Sequence, residues 1–225
     1  MVSVPSGLLT FLVSRSALRT MSRIFGVLLL CLFMACPDAR SGEADKTILV
    51  FGDSLSAAYG LRADQGWVSL LDKRLAGKGY RVVNASVSGE TTSGGRARLG
   101  RALEQHQPRY VILELGANDA LRGLPLATAR DNLSAMIDAI RARKADILLL
   151  GIQIPPNYGP AYTAQLRALY ADLAKRYELP LVPFFLEGIA LDERYMLPDG
   201  LHPNEAGQPR VLENVWKPLQ DLLRR

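Results

Sequence analysis

The chain has 225 residues, 48% of them hydrophobic and 22% charged, which is enough apolar material for a buried core and excludes a disordered chain. The formal net charge is +5, but Met1–Ala44 holds four arginines against Asp38 and Glu43, and no Lys/Arg cluster with interleaved aromatics follows, which argues against a nucleic-acid binder. The two cysteines, Cys31 and Cys36, lie in that same N-terminal stretch, so the rest of the chain has no disulfide framework, thiol nucleophile or cysteine metal site.

Residues 1–44 read as a targeting segment. Arg23 precedes an apolar run from Ile24 to Ala35, and the stretch from Cys36 to Ala44 turns small and polar. A positive region, an apolar core of ~7–15 residues and a small-residue cleavage site describe a secretory signal. The run is shorter than the ~20 residues a spanning helix needs. Cleavage is expected after Ala35 or after Ala44. Met21 makes a better-shaped start than Met1, because it sets Arg23 directly before the apolar core. An acylated Cys36 is a weaker reading, since Phe33-Met34-Ala35 lacks the small residues expected before such a cysteine. The mature product is expected in the periplasm or secreted, as a monomer without a transmembrane span, with residues 45–225 forming one domain.

The first element of that domain is the β-favouring run Thr47-Ile48-Leu49-Val50-Phe51, which stops at Gly52-Asp53-Ser54. Apolar residues at helical spacing follow from Gly66 to Leu75, and Gly77 ends that helix. Tyr80–Ala85 is a second strand, and a loop through Gly89 leads into a helix that runs to about Gln105. Pro108 resets the chain before a third strand, Tyr110–Leu115, which ends in Gly116-Ala117-Asn118-Asp119. An amphipathic helix from Leu126 to Arg143, a strand Ile147–Gly151, a Pro/Gly-rich loop from Gln153 to Pro160 and a helix from about Tyr162 to Tyr177 come next. Leu181-Val182-Pro183 is a short strand, placed at a sheet edge by its proline. The last helix is expected from about Asn204 to Leu223. Alternation at this spacing implies right-handed crossovers and an α/β domain, with a parallel sheet of about five strands covered by helices on both faces.

Several polar residues then fall at the carboxyl ends of these strands, where open α/β sheets bind their ligands. Ser54 follows the first strand; alone, Gly-Asp-Ser is equally a turn and helix N-cap. His202 lies in Asp199-Gly200-Leu201-His202-Pro203, where an aspartate three residues ahead can hold Nδ1–H and leave Nε2 to take a serine proton. The plain alternative there is a capped helix start. Gly89 allows close backbone approach to a ligand, and the Asn118 amide can donate to a developing oxyanion; singly, each is as well a turn residue. The Ser54 N–H would be a third donor. The other histidine, His106, ends a helix and shares no ligand spacing with His202. Convergence of Ser54, Gly89, Asn118 and Asp199/His202 on one rim is what favours catalysis.

These blocks, Gly52-Asp53-Ser54-Leu55-Ser56, the stretch around Gly89, Gly116-Ala117-Asn118-Asp119 and Asp199-Gly200-Leu201-His202-Pro203, resemble those of the SGNH (GDSL) hydrolases. The stretches Ala57–Leu61, Gln65–Val68, Asn84–Thr91 and Gln153–Gly159 are further similar to the bacterial periplasmic acyl-CoA thioesterase I, lysophospholipase L1 and arylesterase branch. The resemblance covers essentially everything after residue 45. It implies a flavodoxin-like three-layer α/β/α sandwich, no metal and no cofactor. It also implies Ser54 as nucleophile, His202 as base, Asp199 as its orienter, and Ser54, Gly89 and Asn118 as oxyanion donors.

The expected reaction is hydrolysis of a small-molecule ester, thioester or lysophospholipid through an acyl-enzyme on Ser54. Apolar loops beside the rim, with Leu121, Pro125, Ile154, Pro155 and Tyr158, are the expected acyl-binding wall; each could instead simply cover the sheet edge. A carbohydrate O-acetylesterase is the alternative enzyme. A non-catalytic flavodoxin-like binding module using Gly94-Gly95 has no Gly-x-Gly-x-x-Gly or Walker pattern behind it.

Overall fold

The computed structural model describes residues 46–225. The targeting segment expected over 1–44, with its cleavage sites and Cys36, lies outside the described residues.

Five strands carry the fold: β1 (Lys46–Gly52), β2 (Tyr80–Asn84), β3 (Tyr110–Glu114), β4 (Asp146–Leu150) and β5 (Leu181–Val182). They form one sheet in the order β2-β1-β3-β4-β5, with every pairing parallel. The helices are α1 (Trp67–Leu75), α2 (Thr92–His106), α3 (Ala117–Leu121), α4 (Leu126–Ala142), α5 (Pro160–Tyr177) and α6 (Gln208–Leu223). α1 packs on α6, while α4 packs on both α2 and α5. The result is the three-layer α/β/α sandwich that the alternation implies. The central strands β1, β3 and β4 are buried along nearly their whole length, which is why they read as continuous apolar runs rather than alternating ones. β2 and β5 are the edges, as the Pro183 argument requires for β5.

Phe51, Trp67, Tyr170 and Phe185 are the largest fully buried side chains. Trp67 meets Phe185 edge-on, with ring centroids 5.7 Å apart. Among the described residues, no helix is long and apolar enough to cross a membrane.

The structure departs from the sequence expectation at three places. A five-residue helix, α3, occupies Ala117–Leu121, where only a turn was expected. α5 begins at Pro160, two residues early, because a proline at a first helical position gives up no hydrogen bond. α6 begins at Gln208 rather than near Asn204. The Asn204 side chain instead accepts the Gly207 N–H at 3.1 Å and donates to the Arg194 and Met196 carbonyls. That turn closes a small antiparallel bridge, Met196 to Pro203, in which Leu197 N–H reaches the His202 carbonyl at 2.7 Å. The loop carrying Asp199 and His202 is therefore clamped at its base.

The strand order reverses direction between β1 and β3, with β2 on one side and β4 and β5 on the other. A crevice forms at such a switch point, outside the carboxyl ends of the strands.

Candidate active site

Ser54 sits two residues beyond β1, in the first turn after the strand. Asp53 shapes that turn: its Oδ1 accepts the Leu55 N–H at 3.0 Å, and its carbonyl accepts the Ser56 and Ala57 N–H groups at 3.3 and 3.0 Å. The chain thus turns sharply with the Ser54 hydroxyl on the rim. His202 Nε2 lies 2.8 Å from Ser54 Oγ, and His202 Nδ1 lies 2.7 Å from Asp199 Oδ2. Asp199 Oδ1 also accepts the Leu201 and His202 N–H groups, at 2.9 and 3.0 Å. Burial raises the Asp199 carboxyl, but the Leu201 N–H, the imidazole and the His202 N–H outweigh it and hold the group below the ordinary carboxylate range. An ionised Asp199 keeps the Nδ1–H tautomer and leaves Nε2 as acceptor for the Ser54 proton. Tyr59 packs on the imidazole, with ring centroids 4.4 Å apart.

The Ser54 and Gly89 N–H groups have no acceptor among the described residues. Gly89 has φ +78°, a conformation open to glycine at little cost. Its loop is pinned by Arg98, whose guanidinium pairs with Glu90 at 2.6 Å, donates to the Ala85 and Gly52 carbonyls and lies 3.9 Å over the Phe51 ring. Asn118 is on α3. That helix is fixed by Asp119, which accepts the Thr92 N–H and hydroxyl at 2.8 and 2.5 Å. Gly116 starts α3 with φ +124°, and the Tyr170 hydroxyl lies where its Cβ would be. Gly94 and Gly95 serve packing: a Cβ at Gly94 would meet Glu90, and one at Gly95 would meet Leu115.

Ser54, Gly89, Asn118 and His202 all line one cavity of about 260 Å³. Its remaining wall is mainly apolar, with Leu55, Leu121, Ile152, Ile154, Pro155, Leu186 and Leu201. Of the wall residues expected from sequence, Leu121, Ile154 and Pro155 are there. Pro125 is not; it lies at the N-terminal boundary of α4. Tyr158 is not in the wall either; its hydroxyl donates to the Leu121 carbonyl at 3.3 Å and braces that residue from outside. Sequence reasoning missed Tyr59, Arg98, Leu186, Leu201 and the acids behind the site. Glu114 did leave a signal, as the one charge inside an otherwise apolar buried strand.

With this geometry in view, comparison with known proteins gives one answer. Residues 50–210 match the GDSL-like lipase/acylhydrolase family. The chain belongs to that family of hydrolases. Esterase TesA of Pseudomonas aeruginosa is 53% identical over 182 residues, covering 80% of this chain and 90% of that protein. Thioesterase 1/protease 1/lysophospholipase L1 of Escherichia coli K12 is 42% identical over 192 residues, covering 85% of this chain and 91% of that protein. Among solved structures, the psychrotrophic esterase EstA from Pseudoalteromonas sp., inhibited by monoethylphosphonate, superposes with a TM-score of 0.76 at 39% identity, covering 80% of this chain and all of that one. The GDSL signature of the family name is Gly52-Asp53-Ser54-Leu55 in this chain.

Proposed function

We propose that this GDSL-family ester hydrolase cleaves carboxylic esters and thioesters through an acyl-enzyme on Ser54, with His202 as base and Asp199 as its orienter. The observation that carries the reading is the unbroken chain from Ser54 Oγ to His202 Nε2 and from His202 Nδ1 to Asp199 Oδ2, at 2.8 and 2.7 Å.

His202 removes the Ser54 proton as Oγ attacks the acyl carbonyl, and the imidazolium is stabilised by Asp199. The oxyanion is received by the Ser54 and Gly89 N–H groups and the Asn118 amide; losing one such donor typically costs ~10²–10³ in turnover. His202 then protonates the departing alcohol or thiol. In the second half it takes a proton from the water that attacks the acyl-enzyme, and returns that proton to Ser54 Oγ as the acid leaves.

The apolar wall formed by Leu121, Ile152, Ile154 and Leu186 supports acyl chains of lipid type over acetylated sugars, for which a wall richer in hydrogen-bonding groups would be expected. The esterase and thioesterase/lysophospholipase names of the two relatives support the same substrate class. Arg23 and the apolar run Ile24–Ala35 support export of the enzyme before it acts.

A fluorophosphonate tests the nucleophile directly. The wild-type protein is expected to gain one phosphonyl group on the peptide containing Ser54, and Ser54→Ala none. Labelling that persists in Ser54→Ala would refute the assignment.

A further inference from the structure

Behind the oxyanion donors lie two buried carboxyl groups to which the hydrolytic steps give no role. Asp53 and Glu114 are both 0% exposed. They follow and end the neighbouring strands β1 and β3, on which Gly52 and Glu114 are register partners. Gly52 leaves room for the acid: a Cβ there would stand 2.5 Å from Glu114 Oε2. That oxygen accepts the Asp53 N–H at 3.2 Å and the Ser56 hydroxyl at 2.8 Å, while Oε1 is buried with no N–H or O–H donor directed to it. Asp53 accepts on both oxygens, from Leu55 N–H on Oδ1 and from the Asn118 amide on Oδ2 at 3.2 Å.

The two carboxyl groups are neighbours, joined through the Asp53 N–H bond to Glu114 Oε2. Burial and the neighbouring Asp53 charge push Glu114 well above its ordinary range. The other groups facing the pair do not neutralise it. Asp119 adds negative charge from α3, the Tyr170 hydroxyl donates to the Leu115 carbonyl, and the Arg98 guanidinium is engaged by Glu90 and two backbone carbonyls.

Asn118 Nδ2 carries two hydrogens, and both have acceptors at rest: Asp53 Oδ2 at 3.2 Å and the Glu90 carbonyl at 3.0 Å. An oxyanion that takes one must displace one of these partners. The neutral carbonyl is the weaker acceptor of the two. We propose that Asp53 is a positioning residue for hydrolysis: it anchors one Asn118 N–H so that the other turns from the Glu90 carbonyl to the oxyanion. This rests on the donor role proposed for Asn118.

The test is a double-mutant cycle on kcat for a p-nitrophenyl ester, with variants checked for retained melting. Asp53→Asn keeps the shape and an acceptor for Leu55 N–H but turns an N–H toward the Asn118 amide. Alone it is expected to lower kcat ~10²-fold with KM little changed, as does Asn118→Ala. Within the Asn118→Ala background it is expected to cost less than about threefold, because its effect passes through the missing amide. Losses that multiply would overturn the inference while leaving the donor role standing. Full activity in Asn118→Ala would overturn both. Asp53→Ala, which removes the acceptor outright, carries the same prediction if Asp53→Asn does not fold.

Discussion

Asp199, the proposed orienter of His202, has a side chain that is 37% exposed. Water beside it screens the imidazolium–carboxylate attraction that a buried triad exploits in full. Asp199→Asn is therefore expected to lower kcat by ~10²–10³-fold, short of the ~10⁴-fold loss known for a buried triad aspartate. The amide oxygen can still accept the Leu201 and His202 N–H groups, so the loop should hold its shape. Steady-state kinetics at saturating ester would check this, and a loss under tenfold would mean that Asp199 does not set the tautomer. At this scale the site was legible wherever a residue type is scarce. Two histidines and one Gly-Asp-Ser left few choices. Tyr59 and Arg98 were not legible, because neither an aromatic in a loop nor an arginine on a helix says which ring or carbonyl it will meet in the fold.

At the level of elements, α3 shows how a short segment can hide a functional geometry. Its sequence, Ala117-Asn118-Asp119-Ala120-Leu121, is rich in turn formers, and five residues are too few for a periodic signal. Tertiary partners make it helical: Asp119 binds the start of α2, and Gly116 supplies the φ of +124° that lets the chain leave β3. Gly116→Ala would meet the Tyr170 hydroxyl as well as the backbone strain. Strain of this kind costs about 1–3 kcal/mol, and overpacking typically adds about as much again. The variant is expected to melt several degrees lower and to lose turnover as Asn118 shifts; unchanged melting by calorimetry would contradict the packing account. The long elements were readable for the opposite reason. Fully buried strands such as Val111-Ile112-Leu113 and the apolar stripe of α4 state their environment in every residue. The start of α6 was misplaced because Asn204, a good N-cap by type, is engaged instead in the turn that clamps the His202 loop.

Across the whole molecule, the parallel order β2-β1-β3-β4-β5 brings loops far apart in sequence to one rim, and the catalytic groups proposed here come from four of them. The same arrangement buries acids, and stability should report it. Burial pushes Asp53 up to about 7 and Glu114 well above its ordinary value. Unfolded carboxyls release their protons near pH ~4, so from there upward the folded chain holds protons that the unfolded chain has lost. Stability from this pair is therefore greatest in acid and declines as pH rises through about 7. Urea midpoints of the wild type relative to Glu114→Gln are expected to fall from pH ~4.5 to ~7.5 on this linkage. A relative midpoint that rises instead would mean that the pair is ionised in the fold.

The central claim, a serine hydrolase with an apolar acyl site, meets its most direct test in the hydrolysis of p-nitrophenyl esters from acetate to palmitate, with palmitoyl-CoA alongside, by the protein and its Ser54→Ala variant. The account predicts turnover that is greatest at medium or long chains, includes the thioester, and is abolished in the variant. Activity confined to acetate, or undiminished without Ser54, would contradict it.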